Sequence, residues 1–90
     1  MKMVMAIIHK GDTETVLDTL LEAGYRTTRL ASTGGFMREG NTTLLIGVDD
    51  PQVPPLIELL RTTTQARPTP AGGQSRGAVF VLPLDTFVRL

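Results

Sequence analysis

The chain contains no cysteine, one histidine, four aromatic residues and no excess of either charge, with nine basic side chains against nine acidic. Without cysteine there is no disulfide, no thiolate nucleophile and no cysteine-ligated metal site. The balanced charge argues against a protein that coats nucleic acid or an anionic membrane, because both partners call for a clear basic excess. Long hydrophobic runs are absent too. The apolar opening, Met3–Ile8, is interrupted by Lys10-Gly11-Asp12, which makes it too short for a transmembrane helix, and no small-residue cleavage site closes it. A cytoplasmic protein with one domain over residues 1–90 is the expectation, since 90 residues make one small core.

Catalysis finds little support. The single histidine, His9, ends an apolar strand, where it reads as a strand-end residue. The acids Glu14, Asp18, Glu22 and Glu58 are scattered along helix faces. Asp49-Asp50 reads as the cap of the second helix, with no further metal ligand at a recognisable spacing. Nothing in the chain suggests an enzyme, a cofactor or a metal.

The segments that are present alternate in type. Met3–Ile8 is apolar at every position, so a strand there carries oily side chains on both faces. Asp12 is a plausible N-cap for a helix through about Ala23, with Val16, Leu17, Leu20 and Leu21 at helical spacing and Gly24 as its end. Arg26–Ser32 forms a more polar strand and Thr43–Val48 a third. Asp50-Pro51 starts a second helix, regular from about Pro54 to Thr64, since proline fits only its first turn. Residues 66–77 lack an apolar period and form a loop. Ala78–Leu82 is a fourth apolar strand, ended by Pro83.

Strand, helix, strand, strand, helix, strand with right-handed crossovers is the ferredoxin-like α+β arrangement: a βαββαβ sandwich with a four-stranded antiparallel sheet and two helices on one face. The first and third strands are central and the second lies at an edge. The other sheet face is left bare. With strands one and four oily on both sides, a monomer would expose a contiguous patch that folded monomers rarely tolerate. Burying ~400 Å² of it is worth roughly 10 kcal/mol before association costs. Self-association through the open face is expected.

The connector Thr33-Gly34-Gly35-Phe36-Met37-Arg38-Glu39-Gly40-Asn41-Thr42-Thr43 is too well equipped for a plain hairpin turn. Arg26, Arg29 and Arg38 can meet phosphate oxygens by forked hydrogen bonds. Gly34-Gly35 offers backbone N–H groups without hindrance. Asn41 can donate and accept together, as an adenine edge requires. Phe36 can stack on a base, and Thr28 and Thr42 can supply hydroxyls. A glycine-rich connector with solvated arginines is the alternative, and spacing alone does not choose between them.

The run from Arg26 to Thr43, Arg-Thr-Thr-Arg-Leu-Ala-Ser-Thr-Gly-Gly-Phe-Met-Arg-Glu-Gly-Asn-Thr-Thr, resembles the signature of the cyclic-di-AMP receptor family, the PII-like signalling proteins. The resemblance extends to the opening strand and to Gly77–Asp85. It implies a non-enzymatic receptor, a PII-like homotrimer with its sheets facing a threefold axis, and ligand sites at the subunit clefts. Carried over by position, Arg26, Thr28 and Asn41 would contact base or phosphate. Gly35, Phe36 and Met37 would line the pocket, and Gly47 would leave room for a base. There are two departures. Gly24 stands where the family carries asparagine, and the 66–77 loop lacks the family's longer extension. An adenine nucleotide such as ATP is therefore the alternative ligand, and a structural trimer without nucleotide binding a further one. The downstream protein partner is unknown.

Overall fold

The computed structural model describes residues 1–30, 40–64, 77–86, 88 and 90. Strand β1 runs over Lys2–His9, and a 3-10 turn at Lys10–Asp12 leads into helix α1, Thr13–Glu22. Strands β2 (Thr27–Leu30) and β3 (Asn41–Val48) follow. A second 3-10 turn at Asp50–Gln52 opens helix α2, Val53–Thr64, and strand β4 spans Gly77–Pro83. The four strands form one sheet in the order β2-β3-β1-β4, every described pairing antiparallel. This is the ferredoxin-like α+β fold, with β1 and β3 at the centre and the polar β2 at an edge.

The register divides the side chains between two faces. Val4 lies opposite Ile46, and Ala6 opposite Leu44. These four, with Ile8 and Val48, are buried together with Val16 and Leu20 of α1 and Leu56 and Leu60 of α2. One oily stripe from each helix thus closes over alternate residues of the two central strands. On the other face, Met3, Met5 and Ile7 of β1 are half-buried. Next to them stand Phe80, opposite Met5, and Leu82, opposite Met3; they are 51% and 43% exposed. The bare apolar face expected from the doubly oily strands is present.

Local chemistry sets the helix ends. After α1, Tyr25 N–H donates to the Leu20 carbonyl at 2.9 Å and Gly24 N–H to that of Leu21 at 3.1 Å. This paired closure needs a left-handed residue between helix and strand, and Gly24 supplies it with φ of +86°. Asparagine is the other residue that adopts this conformation readily. Asp12 precedes α1 as expected, but in a helical conformation (φ −95°, ψ −5°) and without a side-chain capping bond to the helix. The 3-10 turn before it has already begun the coil. At α2 the Gln52 side chain accepts the Asp49 N–H at 2.9 Å, while Asp50 pairs with the amino group of Met1 at 3.0 Å. The Asp50 carboxylate is thus turned to the chain's amino group, while its backbone carbonyl accepts the Val53 N–H in the opening turn.

Several boundaries differ from expectation: β1 extends by one residue at each end, to Lys2 and His9, and β2 begins at Thr27, one residue late. β3 begins at Asn41, two residues early, because Asn41 and Thr42 continue the pairing with His9 and Ile8. Helix α2 begins at Val53, and β4 extends by one residue at each end to Gly77 and Pro83. β2 is described only to Leu30; Ala31 and Ser32 lie outside the described residues.

Candidate nucleotide-binding site

Strand alternation decides which candidate residues meet. Thr28 is opposite Leu45 and Leu30 opposite Thr43, so both belong to the bare face. Thr27 and Arg29 are opposite Ile46 and Leu44, on the helix side. Carrying the same register one position toward Tyr25 sets Arg26 opposite Gly47. Arg26, Thr28 and Gly47 are exposed, and on that extended register all three fall on the bare face at the β2 side of the sheet. A side chain added at Gly47 would meet nothing within 4 Å. The backbone at Gly47 is therefore open on the side where a Cβ would stand.

Asn41 lies on the same face, opposite His9 at the far end of β3. Six residues of extended chain separate it from Gly47, about 20 Å at the usual strand rise. The four described candidates thus share a face without forming one cluster in a single chain. Gly35, Phe36, Met37 and Arg38 lie outside the described residues.

Two further candidates are placed elsewhere. Arg29 faces the helix layer, where its guanidinium stands 3.8 Å from the Glu14 carboxylate; one step of strand alternation turned it away from Arg26 and Thr28. Thr42 is buried on the helix side, where its hydroxyl accepts from the Thr13 hydroxyl at 3.0 Å. It is a packing and hydrogen-bonding residue, not a ligand contact. His9 ends β1 as expected, and its Nδ1 accepts the Gly11 N–H at 2.9 Å.

The far end of β3 is tied down by the β1–α1 turn. Lys10 N–H donates to the Gly40 carbonyl at 2.7 Å, and Gly40 turns the chain into β3 with φ of +92°, a conformation in which a Cβ is strained. The turn also delivers Thr13 to Thr42. Sequence reasoning passed over Thr13, which no motif marks; the only signal was a polar β-branched residue next to an oily helix stripe.

Among the described residues, no group of histidine and carboxylate side chains is arranged to hold a metal ion, and no helix is long and apolar enough to cross a membrane. An open face with a cation, a hydroxyl, a carboxamide and an uncovered glycine can bind an anionic, base-bearing ligand by hydrogen bonds and flat apolar contact. The family profile described as "Cyclic-di-AMP receptor" matches residues 1–76. The chain belongs to the cyclic-di-AMP receptor family. As a member of this family it aligns with a solved structure of a functionally unknown protein from Pediococcus pentosaceus, at 34% identity and a TM-score of 0.78, covering 99% of this chain and 96% of that one. The receptor-family match stops short of β4, whereas the structural likeness continues through it.

Proposed function

We propose that the protein is a non-enzymatic signal receptor that binds cyclic-di-AMP at clefts between subunits of a PII-like homotrimer in the cytoplasm. Family membership names the ligand, and one geometric observation supports the composite site. Along β3, Gly47 lies about 20 Å and Leu45, the partner of Thr28, about 13 Å from Asn41 on the same face, with Met3, Met5, Phe80 and Leu82 on the neighbouring strands. A second copy packed on that apolar surface brings the Arg26 end of one chain toward the Asn41 end of another. In this reading Arg26 meets phosphate, Thr28 and Asn41 hydrogen-bond phosphate or base, and a base lies over Gly47. Gly35, Phe36 and Met37 line the pocket, and loop rearrangement carries the signal to a protein partner.

Titration calorimetry with cyclic-di-AMP, ATP and AMP tests the proposal. Cyclic-di-AMP is expected to bind most tightly and to remain intact. Arg26→Ala and Asn41→Ala should each weaken binding by ~1–3 kcal/mol, the range for hydrogen bonds to charged or buried groups. Heat with ATP but not cyclic-di-AMP would replace the ligand. No heat with any of the three would leave a structural assembly.

A further inference from the structure

Thr13, the first residue of α1, and Thr42, the second residue of β3, are 29 positions apart, yet their hydroxyls meet at 3.0 Å. Both residues are 2% exposed. The buried core between helices and sheet is made of valine, leucine, isoleucine and alanine. In such a layer a hydroxyl pair adds little over two apolar groups of the same shape, but losing one partner leaves the other's hydrogen bond unmade. What the pair provides is direction: it holds one register of helix against strand.

The position of this bond gives it a consequence for the proposed site. Lys10 N–H already holds the Gly40 carbonyl at 2.7 Å. The segment 10–13 therefore grips β3 twice, through the backbone at Gly40 and through a side chain at Thr42. Asn41 lies between the two grips and projects to the opposite face from Thr42. Fixing its two neighbours fixes the backbone position and the Cα–Cβ direction from which its carboxamide reaches out, and a carboxamide that must both donate and accept depends on where it starts.

Resting on the cyclic-di-AMP reading above, we propose that Thr13 is a positioning residue for ligand binding. Its buried bond to Thr42, together with the Lys10–Gly40 bond, aims Asn41 at the nucleotide. Thr13 touches no ligand and acts through β3.

Calorimetry with cyclic-di-AMP on Thr13→Val, Thr13→Ser and Thr42→Val, with amide hydrogen exchange over 40–43, tests this. Thr13→Val keeps the shape and removes the donor, and is expected to weaken binding about three- to tenfold, as loss of one ordinary hydrogen bond would. Exchange at Asn41 and Thr42 should quicken. Thr13→Ser keeps the hydroxyl and should restore both to near the parent protein, and Thr42→Val should reproduce the loss if Thr13→Val fails to fold. In an Asn41→Ala background, Thr13→Val should change affinity no further, because coupled residues are not additive.

Wild-type affinity in Thr13→Val would overturn the proposal. So would an equal loss in Thr13→Ser, or a further full loss in the Asn41→Ala background. If the parent protein binds no cyclic-di-AMP, the proposed function fails. The exchange data then judge Thr13 separately: quickened exchange at Asn41 in Thr13→Val upholds the strand-positioning role, and unchanged exchange removes it.

Discussion

Thr27 and Thr28 are neighbours with opposite surroundings. Thr28 is exposed on the bare face, where its hydroxyl is available to a ligand. Thr27 points to the helix side, opposite Ile46, and its hydroxyl is buried without a hydrogen-bond partner among the described residues. A buried hydroxyl without a partner costs desolvation and returns nothing, whereas valine fills the same volume. Thr27→Val is therefore expected to stabilise the fold by about 1 kcal/mol. Urea unfolding should show a higher midpoint at an unchanged slope, and a lower midpoint would mean that the hydroxyl has a role. The same alternation parts Arg26 from Arg29. Equal in the sequence as phosphate donors, they are separated by the pleat, which leaves the second beside Glu14.

The elements show where local pattern is decisive and where partners intervene. Both helices begin and end close to the positions their caps predict, because oily spacing, proline placement and the left-handed Gly24 act within a few residues. The junction of β1 with the start of α2 is different. Asp50 takes the Met1 amino group as partner at 3.0 Å, and this bond, with Lys2 nearby, lowers its pKa from the usual 3.8. A carboxyl whose folded pKa is depressed stabilises the folded state above its unfolded pKa and loses that contribution as pH falls through the lowered value. The contribution is thus full at neutral pH and fades below about pH 4. Thermal melts of the parent and Asp50→Asn should differ at pH 7 and converge toward pH 2. A gap that persists at pH 2 would place the effect outside this ion pair. The side chain is exposed, so the difference should also shrink in high salt.

For the whole molecule, the dominant fact is that two helices cover one face of a four-stranded sheet whose strands β1 and β4 are oily on both. Leu44, Ile46 and Leu56 are fully buried, whereas Phe80 is half exposed. A charge at Phe80 leaves the helix-side core intact and opposes packing on the bare face. Light scattering should find the parent protein trimeric at micromolar concentration and Phe80→Asp monomeric, with the circular dichroism of the fold retained. A parent monomer would remove the assembly and, with it, the composite cleft.

Much of this was legible in residues 1–90 because it rests on short-range periodicity. The strand and helix order, the polar edge strand and the bare apolar face follow from spacings of two and of three to four residues. The run from Arg26 to Thr43 marked the family before any geometry only by its resemblance to the family's signature; its residue types alone left a plain glycine-rich connector open. The pairing register lay beyond such patterns, because it depends on which residues of distant segments lie opposite one another. Register brought Thr13 to Thr42 across 29 positions. It also turned Arg29 and Thr42 away from the candidate site and set Arg26 and Asn41 at opposite ends of one face. Composition and spacing determined the order of elements and the bare face; the pleat of the assembled sheet, which sends neighbouring side chains to opposite faces, decided which of the candidate residues share that face.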